Sequence, residues 1–458
     1  MGFTRTIEVI FKRFLPAPFT IAVLLTLTTL VLALLTTPAP AEGSHFLELL
    51  SYWERGIWNK DLLVFGYQMM LILVLGHILV LSAPMNQLIQ GLTGLVSNTA
   101  QAVLLVSVST LLVSFFNWGL GLIFGAIMAR KVAEASTQRG FKINYPLVGA
   151  AGYCGLMIWH GGISGSAPLK VAESGHLQQI MAGISDTAVL AQLPDAIPGS
   201  ATIFSWWNLL LFALLLILIP LVFYRLSKHA PHTEVHVRPY SLETTAQQAE
   251  GAAERLDASL WFGRGVGLLV LGTFLYQYGS QLLQLTLTPN MLNFFMLGMA
   301  LLLHGSFNSF LAAVEEAIKG AAGILIQFPL YFGIMGIMAE SGMVGQIADF
   351  FVSIANETTL PIFTFFSAGL VNIFVPSGGG QWAVQGPIVI ESAMQLGVPL
   401  PKAVMALAYG DQITNMLQPF WALPLLGITK LKAKEILPYT LIIMLVGSAV
   451  FIAGLLLL

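Results

Sequence analysis

Four short stretches of this chain bring together residue types that could hold an anion or a small cation. YGDQITNMLQP carries Asp411, Thr414 and Asn415, and GYCGLMIWHGGISGSAP carries His160, Ser164 and Ser166. IFVPSGGGQW carries Ser377, Gly378, Gly379, Gly380 and Gln381, and FFNWGLG carries Asn117 and Gly119. All four sit in strongly apolar surroundings, where an ionisable side chain is expensive and by default functional, which singles out Asp411 and then His160. Glycine and proline interrupt helices, and in hydrocarbon each unsatisfied backbone group costs several kcal/mol, so the breaks are expected to line protein cavities. A helix that starts at a break offers unpaired N–H groups and a partial positive charge to a carboxylate. Unwound carbonyls with Ser, Thr and Asn oxygens instead suit a sodium ion, for which Asn117, Ser377, Asp411 and Asn415 are the candidate ligands. A proton on Asp411 is the other option for a coupled cation; no further cofactor is implied.

The elements that must position these residues follow from composition. The chain has 458 residues, 56% hydrophobic and 9% charged, with mean hydropathy +0.81, and reads as an all-α polytopic membrane protein. A net charge of -2 leaves no basic face for nucleic acid. The single cysteine, Cys154, excludes an intramolecular disulfide and a thiolate cluster and reads as packing. Arg5, Lys12 and Arg13 precede FTIAVLLTLTTLVLALL and TTPAPA, a string similar to a signal peptide. The run is long enough to span a bilayer and many more follow, so it reads as a retained first helix.

Apolar segments fall at about 19–37, 62–83, 102–129, 145–166, 202–226, 266–288, 291–303, 320–339, 360–395, 402–427 and 436–457. The polar interval 227–259 divides a first half, 1–226, from a second, 260–458, and reads as a solvated cytoplasmic linker. Its His229, His232 and His236 could ligate metal, but Pro231 interrupts any shared helical face and the linker reading is preferred.

Basic residues in short loops stay cytoplasmic, which places the N-terminus inside. Two ordinary spans return the chain inside, where Arg130, Lys131, Arg139 and Lys142 of ARKVAEASTQRGFK also belong, so 102–129 must enter and leave on one side. Interval 340–359 carries Glu340, Asp349 and Glu357 without a base, and 428–435 carries Lys430, Lys432 and Lys434. One net crossing separates them, which makes 360–395 a re-entrant hairpin tipped by PSGGGQ. The halves then match at an offset of roughly 258 residues with opposite membrane directions, the pattern of inverted-topology repeats with paired hairpins and discontinuous helices.

Blander readings stand beside these. Trp118, Trp159, Trp382 and Trp421 could stack on a ligand's apolar part but are also common interface anchors, which is preferred. His77 and His304 near span ends read as packed or wet, and Glu391 as paired or facing water. His160-Gly161-Gly162 is similar to an oxyanion-hole string, with Ser164 or Ser377 as nucleophile, but the G-x-S-x-G spacing fails at both serines. A channel remains a further alternative, since hairpins also line selectivity filters.

VNIFVPSGGGQWAVQGP, YGDQITNMLQPFWALPLLG and HGGISGSAPL resemble the short-chain fatty acid transporter family, the bacterial acetoacetate/butyrate permease type, within the wider ion-transporter superfamily. The resemblance covers nearly the whole chain. It implies two hairpins, a scaffold that forms a homodimer, and a transport domain that moves as an elevator. It also implies uptake of short monocarboxylates across the bacterial inner membrane. The charge rule, and not the resemblance, places the C-terminus in the periplasm. The Ser-Asn-Thr hairpin signature of the superfamily's dicarboxylate branch is replaced here by FNWGLG and VPSGGGQ. No Arg or Lys cluster lies in the breaks, which favours a monoanion. Moving it inward against the membrane potential costs about 2.3 kcal/mol per 100 mV, which a co-transported cation would offset.

Overall fold

A computed structural model describes residue 13 and residues 16–181, 192–235, 251–283 and 288–458. These residues form helices without a strand. Five helices are long and apolar enough to cross a membrane: Pro18–Thr36, Lys60–Leu81, Thr99–Phe116, Trp206–Ser227 and Ala433–Leu457. The other expected apolar segments also fold as helices, among them Leu260–Leu283, Pro289–His304 and Ala322–Glu340. His236 of the linker lies outside the described residues.

Both expected hairpins are helix pairs joined at the quoted breaks. In hairpin one, Thr99–Phe116 and Trp118–Arg139 pack against each other and meet at Asn117, whose extended backbone interrupts the helix. In hairpin two, Leu360–Phe374 ends before Val375-Pro376, because proline disfavours helical geometry in the residue before it. The second arm, Gly378–Leu396, then starts at Ser377. Each hairpin is followed by a broken helix. The first runs Tyr145–Tyr153, passes through tight turns at Cys154–Met157 and Trp159–Gly161, and resumes only as Ser166–Val171. The interruption lies within the stretch GYCGLMIWHGGISGSAP, from Gly152 to Pro168. The second runs Leu400–Thr414, turns at Asn415–Leu417, and continues as Pro419–Thr429.

Missing side chains set how closely these elements approach. A Cβ on Gly125 of hairpin one would lie 2.0 Å from the Gly152 carbonyl oxygen of the first broken helix. A Cβ on Gly410 of the second broken helix would lie 2.1 Å from the Phe365 carbonyl oxygen of hairpin two. Each hairpin is thus pressed backbone to backbone on the broken helix of its own half, which is how small residues promote packing in lipid.

The polar string ARKVAEASTQRGFK corrects the loop reading, because it remains helical to Arg139. Arg130, Lys131 and Glu134 are buried. Glu134 accepts from Arg130 Nε at 2.9 Å and Lys131 Nζ at 2.8 Å, and Arg130 Nη1 donates to the Ile428 carbonyl at 2.7 Å. Mutual pairing and a helix-end carbonyl make that burial tolerable, and they tie hairpin one to the second broken helix. Only Arg139 and Lys142 of the four basic residues used for orientation stay exposed.

The polar intervals also hide short amphipathic helices, His45–Ile57, Phe307–Ala317 and Met343–Ser353. The first packs on Ala322–Glu340, where a Cβ on Gly56 would meet the Phe332 carbonyl oxygen at 2.4 Å. Its length, 13 residues, is too short for a span, so a search for apolar runs passes over it.

Candidate functional site

The two hairpin tips and the first broken helix converge. At tip one the Asn117 side chain caps its own second arm by accepting from Leu120 N–H at 2.9 Å. Trp118 N–H donates to Ser164 Oγ at 2.9 Å, and Ile163 N–H to the Phe115 carbonyl at 2.8 Å. At tip two Ser377 Oγ accepts from Gly380 N–H at 3.2 Å. The amides of Gly378 and Gly379 make no hydrogen bond among the described residues. They are the first two donors of a 19-residue helix, the place where an anion is held by N–H groups and the helix dipole.

Gly378 and Gly379 line a cavity of about 810 Å³. Its polar wall is Ser164, Ser166, Ser377, Gly378 and Gly379. Phe65, Trp118, Trp159, Trp382 and Trp421 supply an aromatic wall. Trp118 meets Trp159 and Trp421 with centroid separations of 5.8 and 5.1 Å, so three of the rings form one cluster. The tryptophans are therefore cavity walls as well as packing, where the preferred sequence reading made them interface anchors.

Sequence reasoning missed Lys170, Glu173 and His176, which also line the cavity. Lys170 is half exposed and paired with Glu173 at 2.9 Å. His176 Nε2 accepts from Trp382 Nε1–H at 3.0 Å, and burial with the nearby Lys170 charge pushes its imidazole below the usual range. The signal was weak, because the three follow the break in a polar stretch that lacks a motif.

The remaining candidates lie behind the cavity. His160 and Asp411 are 0% and 1% exposed, with His160 Nδ1 2.5 Å from Asp411 Oδ2. Trp159 stacks on the His160 ring at 4.5 Å. Gln412 Oε1 accepts from the backbone N–H groups of His160 and Gly161 at 2.8 and 3.1 Å. Asn372, another missed residue, donates through Nδ2 to the Asp411 carbonyl, Thr414 Oγ1 and Asn415 Oδ1 at 2.6, 2.9 and 2.8 Å. Gln381 bridges the Ala368 carbonyl and Gln385 within hairpin two. Gly119 packs near Ile72 and Leu292, and Gly380 packs against Met335. Asp411, Thr414 and Asn415 thus gather around Asn372, whereas Asn117 and Ser377 cap their own arms. Glu391 is partly exposed beside Gln395, and His304 bonds the Ile78 carbonyl and Ser309.

A family model described as short-chain fatty acid transporter matches residues 2–458. The chain belongs to the short-chain fatty acid transporter family. A protein of Escherichia coli (strain K12) named for short-chain fatty acid transport is 38% identical, over 97% of this chain and 96% of its own. One of Haemophilus influenzae, named likewise, is 35% identical, over 99% and 98%. Among solved structures, the YdaH transporter of Alcanivorax borkumensis, described as having an unusual topology, is 15% identical with a TM-score of 0.42 over 96% of this chain and 98% of its own. MtrF of Neisseria gonorrhoeae, described with a class of antimetabolite efflux pumps, is 14% identical with a TM-score of 0.36, over 98% and 97%. Family members are transporters and not enzymes, so the acyl-transfer reading of His160, Ser164 and Ser377 is withdrawn. With its apolar helices, this short-chain fatty acid transporter is an integral membrane protein.

Proposed function

We propose that the chain takes up short monocarboxylates such as butyrate, acetoacetate or acetate across the bacterial inner membrane by cation-coupled symport with alternating access. The observation that carries this reading is a cavity lined both by Gly378 and Gly379, whose amides have no hydrogen-bond partner among the described residues, and by serine side chains and indole rings. One carboxylate fits the first surface and a short alkyl tail the second. A helix N-terminus contributes roughly 0.3–1 kcal/mol at exposed sites and up to ~2 kcal/mol when partly buried. Three buried tail carbons add about 0.8 kcal/mol each.

In this reading the halves 1–226 and 260–458 are inverted repeats on either side of the linker 227–259. The hairpins and broken helices move together as an elevator against a dimeric scaffold. Two features support it: each hairpin is pressed on the broken helix of its own half, and the cavity wall also includes Phe65 and Pro289 from helices outside both hairpins. The test is counterflow of labelled butyrate in proteoliposomes, with protein-free vesicles as control because the neutral acid also crosses lipid. Saturable exchange, inhibited by acetate and acetoacetate, is expected. Flux that grows without saturation would make the protein a channel.

A further inference from the structure

The described lining of the cavity carries two full charges, Lys170 and Glu173, and they cancel. Lys170 Nζ donates to both Glu173 carboxylate oxygens, at 2.9 and 3.0 Å. His176 Nε2 accepts the Trp382 indole N–H, which keeps that ring neutral. Asp195, the acid held by Ser174, is not among the lining residues.

Backbone structure, and not the pair's own attraction, fixes where these charges stand. Ser166–Val171 is helical, so Lys170 follows Ser166 by one turn on the same face, a rise of about 6 Å. Ser166 lies beside tip two, its Oγ 3.9 Å from where a Cβ on Gly379 would be. Past the helix, Glu173 N–H donates to the Lys170 carbonyl at 3.1 Å, and Ile197 N–H donates to the Val171 carbonyl at 2.7 Å. Gly175, left-handed at φ +73°, donates its N–H to the Asp195 carbonyl at 3.0 Å. Ser174 Oγ donates to Asp195 Oδ1, also at 3.0 Å. The turn that carries Glu173 is thus held on both sides of it.

Resting on the carboxylate reading of the cavity, we propose that Glu173 restricts the site to monoanions by occupying Lys170, the cation that would otherwise receive the far end of a short dicarboxylate. One helical turn is the scale of a molecule such as glutarate. With one carboxylate seated at Gly378 and Gly379, its second carboxylate meets a lysine already neutralised and a carboxylate of like charge. A short fatty acid ends in a methyl group and meets neither obstacle. Selectivity therefore comes from a repulsive element as well as from the indole wall.

The side chains of Lys170 and Glu173 are 50% and 56% exposed, and an exposed pair adds little to folding, so changing it tests selection more than stability. The experiment is calorimetric titration of butyrate and of glutarate into the purified full-length protein, read as the ratio of the two affinities. The parent should prefer butyrate. Glu173→Gln removes the repelling charge and frees Lys170, and should move the ratio toward glutarate on the order of tenfold. Glu173→Asp, which keeps the charge, should keep the parental ratio, and Lys170→Gln combined with Glu173→Gln should return to it. If Glu173→Gln does not fold, Lys170→Gln alone decides, because the unneutralised Glu173 should move the ratio further toward butyrate. A parental ratio in Glu173→Gln, an equal shift in Glu173→Asp, or a parent that binds glutarate as tightly as butyrate would each overturn the proposal. No binding of butyrate, acetate or acetoacetate by the parent would overturn the carboxylate reading itself.

Discussion

Gly378 and Gly379 differ by one position and should respond oppositely to the same substitution. An alanine Cβ at Gly378 would lie 2.7 Å from His160 Cε1 and 2.8 Å from Trp159 Cη2, closer than van der Waals contact permits. At Gly379 the nearest neighbour, Ser166 Oγ, is 3.9 Å away, an ordinary contact. His160 is held by Asp411, Ala167 and Gln412, and Trp159 is stacked on it, so neither ring yields without moving the tip. Overpacking costs typically 1–3 kcal/mol, and replacing a helical glycine by alanine returns about 0.5–1 kcal/mol. Gly378→Ala should therefore lose roughly 1–2 kcal/mol of folding stability, a factor of about 5 to 30 in the folded/unfolded ratio, with weaker butyrate binding because the tip shifts, while Gly379→Ala should fold at least as stably as the parent. Thermal melting of the purified variants and titration with butyrate measure both quantities. Gly378→Ala with parental affinity and melting temperature, or a larger loss at Gly379 than at Gly378, would refute the placement of tip two on His160.

Removing Glu134 leaves Arg130 and Lys131 buried without their shared carboxylate, so Glu134→Ala should cost about 3–5 kcal/mol, read as a lower melting temperature. Lengthening the substrate from acetate to propionate to butyrate should raise affinity about fourfold per carbon, since each buried methylene contributes about 0.8 kcal/mol to contact with the indole wall. Equal affinities along the series would place the tail outside that wall. Burial and Lys170 hold the His176 imidazole below its ordinary range, so its neutral form favours the folded state. That contribution is complete above the unfolded value of about 6.5 and is lost as pH falls below it. The Trp382 contact should loosen with it, visible as a change in tryptophan fluorescence between neutral and mildly acid pH that His176→Phe abolishes.

The positions of the breaks were legible because they are chemically local. Val375-Pro376 cannot continue a helix, and Asn117 and Ser377 are good helix caps, so both tips lie where the residue types put them. The apolar runs were equally plain, since a helix in lipid has to satisfy its own backbone and needs length and hydrophobicity to do so. Charge was less informative. Arg130 and Lys131 looked like loop residues until Glu134 and the Ile428 carbonyl, 298 positions from Arg130, accounted for their burial. Asn372, Lys170 and His176 carried no motif, and their importance comes only from what lies beside them.

Hydrophobicity, proline and glycine act within a few residues, so an all-helical apolar chain with four interruptions, and Asp411 within one of them, could be read from residue order alone. Tertiary structure decided which interruptions meet. His160 and Asp411 are 251 positions apart, and only the packing of the two broken helices against each other makes them one site with Gly378 above it. Pairing at that separation depends on side-chain shape across helix interfaces, which no run of neighbouring residues encodes.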